Sequence, residues 1–353
     1  MRIDNQAPEL AGAGGDGGTI VVDSGPAVQV KARGYWEQVW LRFKQDRVAI
    51  AGGVFIIVLV LAAFLGGPIA SRILGHGPDH IYASGVDLNT LQPVGPWTTI
   101  STAPYPAPAG TEGFDDTRLI LGADGQLGRD MFLRILYGAQ TSLEVAVLAT
   151  LFSVSVGVLL GLLAGYFRGV VDTIISRLTE IAMAFPVLLF IIAVSATVGS
   201  ELNKVTFGFL APGVFTLVLI FGLFGWFYPA RIIRGQVLSL REKEFIEAAR
   251  MTGAGDWRIM RSHLLPHLVA PIIVYSTLIV AGNIVAEAGL SFLGLGIQAP
   301  TASWGNLLSA GPDYYLTQPW LMVWPGLMIL LTTLAFNLLG DGLRDAFDPR
   351  HTT

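Results

Sequence analysis

The sequence predicts an all-α integral membrane protein with six transmembrane helices. Three observations lead there. Only 14% of the 353 residues are charged, against about 25% in ordinary soluble domains. The mean hydropathy is +0.59. The missing charge is concentrated in long uncharged runs, separated by short segments that carry the arginines, prolines and acids. The chain has no cysteine, which excludes disulfides, thiol catalysis and cysteine metal sites. Its five histidines are scattered and form no metal-binding spacing.

The elements follow in order. Residues 1–33 are rich in Gly, Ala and Asp without periodicity, and contain no apolar core of a secretory signal, so a disordered cytoplasmic tail is expected. Residues 34–47 mix aromatic and basic side chains at helical spacing. They read as an interfacial helix on the cytoplasmic leaflet, or as the charged flank of the first span. Val48–Ala70 carries no charge and is long enough to cross a bilayer core of roughly 30 Å. Residues 71–138 are polar and rich in Pro and Gly, and read as an extracytoplasmic segment. Residues 139–345 hold five further spans: Val145–Phe167, Leu178–Ser200 (interrupted by Glu180 and Pro186), Val205–Ala230, Leu268–Phe292 with Glu287 inside it, and Trp320–Gly340. Residues 346–353 form a short cytoplasmic tail.

Six spans place both termini on one side, and the cations choose it. The N-terminal region, the turn at 168–177, the loop at 231–261 and the C-terminal tail hold 17 of the 22 Lys and Arg. The opposite face holds Arg72, Arg118, Arg129, Arg134 and Lys204. The positive-inside rule makes the first set cytoplasmic.

The cytoplasmic loop at 239–266 has the grammar of two small helices with a hinge. Ser239 and Glu242 form an S-x-x-E capping box. Good helix formers follow through Arg250, and Gly253 stands where a left-handed C-cap would end the helix. Asp256 can cap a second helix, which Pro266 would limit.

The spacing Glu247-Ala248-Ala249, Gly253, Leu265-Pro266 resembles the EAA loop of ABC importer permeases. His263 stands two before the leucine where an aliphatic residue is usual, a variant similar to the peptide-importer branch. Other stretches resemble the dipeptide, oligopeptide and nickel permeases of the second ("C" subunit) type: Leu127-Gly128-Arg129-Asp130 leading into Arg134-Ile135-Leu136-Tyr137-Gly138; Ala286-Glu287-Ala288-Gly289-Leu290-Ser291; Ser303-Trp304-Gly305; and Asn337-Leu338-Leu339-Gly340-Asp341. The resemblance covers roughly residues 34–350. The chain departs from the pattern in its long N-terminal tail, in an insertion near 76–117, and in one extra residue between Asp124 and Gly128.

The resemblance implies the type I ABC importer permease fold in a bacterial cell membrane, with a cytoplasmic coupling helix. Glu244, Phe245, Glu247, Ala248, Ala249, Arg250, Gly253, Leu265 and Pro266 would then engage the ATPase. The implied partners are a second homologous permease, one or two cytoplasmic ATPase chains, an external solute-binding protein and membrane lipid, with no nucleic acid. No phosphate loop of the G-x-x-x-x-G-K-[ST] type occurs, so this permease is expected to be non-catalytic and to hold no cofactor; ATP and Mg would sit on the ATPase subunits. The cargo would be di- or oligopeptides; nickel chelates or another small solute are the alternative. A secondary transporter would need an intramembrane ion relay, for which Glu287 alone stands.

Several residues have a plainer reading beside the functional one. Gly128, Arg129 and Asp130 form either a turn and helix start or a contact for the outer binding protein. Glu287 forms either a structural hydrogen bond near the outer end of span five or part of the pathway. Arg250, Arg258 and Arg261 can be positive-inside anchors alone, and Arg177 with Glu180 reads as a local ion pair.

Because the chain lacks cysteine, single cysteines report topology directly. Ser84→Cys should react with an impermeant thiol reagent added outside the cell, and Ser262→Cys should react only after permeabilisation. The reverse labelling pattern would invert the topology.

Overall fold

The computed structural model describes residues 34–87, 89–101, 116–202 and 213–348. The tail at 1–33, the middle of the outer insertion (102–115), Lys204 and the residues from 349 onward lie outside the described residues.

The interfacial segment is a discrete helix, α1 (Tyr35–Phe43). Val39 is buried, while Tyr35, Trp36 and Trp40 beside it are exposed. Its buried side rests on the end of the chain: Arg42 donates to the Asp348 carbonyl at 2.8 Å. A turn follows, and Asp46 caps the next helix by accepting from the Val48 and Ala49 amides. The first span is one apolar rod, α2 (Arg47–Leu61), a π-helical turn at Ala62–Gly66, and α3 (Gly67–Leu74).

The second span, α4 (Met131–Phe167), is 37 residues long, about 55 Å at 1.5 Å per residue. It begins inside the segment expected to be wholly extracytoplasmic and projects beyond the apolar slab at that end. The third expected span is not a straight helix. It divides into α5 (Gly169–Ala184) and α6 (Val187–Leu202), bent by 82°. Pro186 forces the residue before it out of the helical region, and Phe185 is extended at φ −90°, ψ 140°. Glu180 lies exposed and pairs with Arg177 at 2.6 Å. The fourth span joins α7 (Val214–Gly225) to α8 (Phe227–Arg241).

Two short helices follow, α9 (Glu244–Met251) and α10 (Asp256–Arg258). A π-helical turn at Ile259–Leu264 then leads into α11 (Leu265–Phe292). After a surface loop come α12 (Trp304–Ser309) and α13 (Trp320–Phe347). Among the described residues, five helices are long and apolar enough to cross a bilayer, and six if the bent α5–α6 pair counts as one span.

Outside the spans the all-α expectation needs amending. Residues 86–130 contain three short antiparallel strand pairs, the longest joining Thr98–Ser101 to Asp116–Leu119. Tyr82, Ile100, Leu119 and Ala123 form a small core beneath them.

The helices assemble around α4, which packs along α8, α7 and α11; α13 packs on α11 and α2. The α4–α8 contact is the tightest. Gly157, Gly161 and Gly165 repeat every four residues on one face of α4. A Cβ added there would lie 2.6 Å from Pro229 Cβ, 2.6 Å from the Ala230 carbonyl oxygen and 2.7 Å from Val237 Cβ, respectively. Lipid gives apolar helices little hydrophobic reason to associate, so this close backbone approach supplies van der Waals contact instead.

Gly161→Val should therefore force the two helices apart, at a cost of about 1–3 kcal/mol or more. Gly235→Ala, where nothing lies within 4 Å of the added atom, is the control. Melting of the purified protein in detergent should show a lowered midpoint for the first and a near-unchanged one for the second.

Candidate functional site

The loop at 239–266 folds around a two-faced helix seated on the ends of three spans. Lys243 precedes α9 with extended backbone and no side-chain cap. Glu244 and Glu247 in its first turn and Arg250 in its last complement the helix dipole. The expected Ser239/Glu242 capping box is not formed, because α8 stays helical through Arg241 and carries Ser239 within it.

Ile246 and Ala249, three residues apart and hence on one face, are buried at 0% and 8% exposure. They join an apolar cluster with Leu162 and Tyr166 of α4, Ile233 and Val237 of α8, and Ile259, Met260, Leu264 and Leu268 leading into α11. Glu244, Phe245, Glu247, Ala248, Arg250 and Met251 are exposed. This divides the pair of alanines expected to act together: Ala248 faces outward, and Ala249 packs against its own chain. Leu265 is half-buried beside the cluster, and Pro266 is exposed. Phe245 lies against His267, with ring centroids 5.1 Å apart.

The helix ends where expected. Gly253 has φ +83°, the Ala254 amide donates back to the Ala249 carbonyl at 3.0 Å and the Gly253 amide to the Arg250 carbonyl at 2.9 Å, as in a left-handed C-cap. No atom lies within 4 Å of a Cβ placed there, so glycine is required for conformation and not for space. The second half of the loop differs from expectation. Gly255, not Asp256, occupies the cap position of α10. Pro266 does not stop the helix. The π-helical turn ahead of it widens the backbone where the proline ring would meet a preceding carbonyl, and Pro266 enters the first turn of α11, where its missing N–H costs nothing.

Tyr166, at the end of α4, joins these pieces. Its hydroxyl donates to Asp256 Oδ1 at 2.6 Å, its ring lies 5.6 Å under the Arg250 guanidinium, and its carbonyl accepts from Arg241. The sequence offered no signal for this hub: a tyrosine closing an uncharged run belongs to no motif. Arg250, readable from sequence as a simple anchor, is half of the hub.

A second polar cluster sits at the other end of α4. Gly128 turns the chain with φ +65°, and Asp130 caps α4 by accepting from the Phe132 amide at 2.9 Å, which realises the turn-and-helix-start reading. Arg129 pairs with Asp124 at 2.8 Å. Arg134, fully buried, reaches Asp124 at 2.5 Å, Asp79 at 2.7 Å and the Pro300 carbonyl at 3.1 Å. His76 Nε2 lies 3.0 Å from Asp130, and that hydrogen bond holds the imidazole above its ordinary value of 6.5 against the opposing effect of burial. Arg129 and Asp130 thus enter two neighbouring ion-paired groups, and Gly128 supplies the turn between the strand pair and α4.

Glu287 is fully enclosed. One carboxylate oxygen accepts from the Ser142 hydroxyl of α4 at 2.8 Å, the other from Ser291 at 2.7 Å. The two serines pass the restraint on: Ser142 Oγ accepts from the Trp304 amide and Ser291 Oγ from the Ile297 amide. Glu287 therefore ties α11, α4 and the loop before α12. Ser291 was reachable from its four-residue spacing; Ser142, 145 residues away, was not.

Residues 157–353 match the model of the family described as binding-protein-dependent transport system inner membrane component. Residues 34–93 match the N-terminal transmembrane domain of oligopeptide transport permease C. The glutathione transport system permease protein of Pectobacterium atrosepticum is 36% identical over 92% of this chain and 95% of its own length. The dipeptide transport system permease protein of Alkalihalophilus pseudofirmus is 36% identical over 92% of this chain and 93% of its own. Among solved structures, a chain of the inward-facing MetNI methionine ABC transporter aligns with a TM-score of 0.50 at 16% identity, covering 62% of this chain and 98% of that one. That likeness is one of fold.

The enclosure of Glu287 generates a test. Glu287→Gln keeps polar atoms within reach of both serines and should leave transport and assembly near normal. Glu287→Leu strips both hydroxyls of their acceptor and should destabilise by about 1–3 kcal/mol in detergent melts. Transport abolished in a fully assembled Gln variant would instead place the carboxylate in the pathway.

Proposed function

The chain belongs to the family of binding-protein-dependent transport system inner membrane components, and from that premise we propose that it forms half of the translocation pathway of an ATP-driven importer of di- or oligopeptides. It is a membrane-embedded permease subunit: it lowers a translocation barrier and makes or breaks no covalent bond. The peptide cargo is supported by full-length relatives named for glutathione and dipeptide transport. We place the protein in a bacterial inner membrane with both termini cytoplasmic, on the strength of the cation distribution. The complete machine has a second, homologous permease, one or two ATPase chains that hold ATP and Mg, and an external solute-binding protein.

The observation that carries the coupling role is the division of α9. Glu244, Glu247, Ala248 and Met251 form an exposed outward patch, with Phe245 at its edge against His267, while Ile246 and Ala249 root the same helix in side chains of α4, α8 and the start of α11. A helix held this way transmits a push. Closure of the ATPases displaces α9, and the shared cluster carries that displacement to three spans at once. The exposed side of Ala248 admits the groove of the partner closely. Gly253 lets the chain turn away behind the contact.

Ala248→Trp and Gly253→Val test this. The first adds bulk on the outward patch only. The second penalises a positive φ by about 1–3 kcal/mol without a clash. Both proteins should reach the membrane at near-normal levels, with transport and recovery of the ATPase in pull-downs lowered about tenfold or more, the effect of losing about 1.4 kcal/mol of contact. Gln298→Ala, in the loop beyond the far end of α11, should change neither. Full transport and full ATPase association in both loop variants would remove the coupling role.

A further inference from the structure

Two of the loop arginines have no use in the fold described so far. Arg250 lies over Tyr166, but Arg258 and Arg261 are exposed, three residues apart, and no carboxylate of the described residues is within ion-pair distance of either. Beside Arg261 opens a groove of about 490 Å³. One wall is α4, through Val154, Val158 and Leu162; the other is Met260, Leu265 and Ile272. Its lining is apolar apart from the Ser155 hydroxyl and the Arg261 guanidinium. Trp257, 64% exposed, stands at the rim.

The dimensions and the charge point to one occupant. From Arg261 to Ile272 the helix rises about 16 Å, roughly half of a 30 Å bilayer core. The groove therefore starts at a charged helix end and runs through one leaflet. A cation at the headgroup level, an indole beside it and an apolar trough below are the three contacts that a phospholipid offers in that order. We propose that the groove is a binding site for an anionic phospholipid, with one acyl chain between α4 and α11 and its phosphate held by Arg261 and Arg258. The occupant would also touch the mechanism. Leu162 and Met260, which line the trough, belong to the same cluster that seats Ile246 and Ala249 of α9. A chain packed there stiffens the support of the coupling helix.

The experiment uses the assembled transporter, purified and placed in nanodiscs of phosphatidylcholine alone or of phosphatidylcholine with phosphatidylglycerol. Native mass spectrometry counts retained lipid, and ATP hydrolysis reports coupling. The wild-type complex should retain phosphatidylglycerol selectively and hydrolyse ATP faster in its presence. Arg258→Gln with Arg261→Gln should reduce that retention about thirtyfold, abolish the stimulation and leave the rate in phosphatidylcholine unchanged. Val158→Phe, which fills the trough but keeps both cations, should also lose the retained lipid, so the idea does not depend on one variant's assembly. Equal retention in wild type and both variants would overturn the proposal. So would a wild-type complex that carries no phosphatidylglycerol because the second permease fills the groove, which a cross-link from Leu159→Cys to that chain would reveal.

Discussion

The closeness of α4 to α8 is the constraint on which the rest of this molecule depends. In water, two apolar helices associate because water is displaced; in lipid they gain little unless their backbones nearly touch. The three glycines at 157, 161 and 165 permit that contact over two turns, and the groove they leave is filled by Pro229, Ala230, Ile233 and Val237. With that seam closed, α4 has α7 and α11 on its remaining sides, and every other span is positioned relative to it.

A long helix fixed along its middle is useful only if its ends are also attached. Each end of α4 is tied by polar side chains, and the ties differ in kind. At its N-terminal end, Asp130 and Arg134 tie α4 to the polar segment before it through ion pairs with His76, Asp79 and Asp124, and Arg134 reaches the loop before α12 by a hydrogen bond to the Pro300 carbonyl. Buried ions break at high cost once paired, so this end is a fixed point. At its C-terminal end, Tyr166 reaches α10 and α9 through one hydroxyl and a cation above its ring. These contacts are half-exposed and individually modest. The two ends of α4 are therefore held differently, by buried ion pairs at one and by lighter polar contacts beside an apolar cluster at the other.

The spans were legible because lipid imposes a single requirement, a long run without charge, and Val48–Ala70 or Trp320–Gly340 state it without ambiguity. The left-handed turn at Gly253 and the Arg177–Glu180 pair were legible because they depend on neighbours within one or two turns. What escaped was of two sorts. The break at Pro186 was legible, but the size of its bend, 82°, and the passage of Pro266 into α11 depend on how the surrounding packing accommodates a missing N–H. The Tyr166 hub and the Ser142–Glu287 bond join residues 90 and 145 positions apart, and no local pattern encodes such a meeting. The inward turn of Ala249 was available in principle from the three-residue spacing to Ile246, but required knowing which face the cluster would claim.

The π-helical turn at Ile259–Leu264 holds one residue more than an α-helical path between the same endpoints would use. An α-helix advances about 100° per residue, so this surplus acts as a phase setting. It fixes the azimuth at which α9 and α10 are presented relative to the face that α11 buries. The length of residues 259–264 is consequently constrained in a way its composition is not. A hydrophobic exchange within it repacks a cluster, whereas the loss of a single residue would swing the whole α9–α10 step around the axis of α11 and turn Ile246 and Ala249 away from the cluster that seats them.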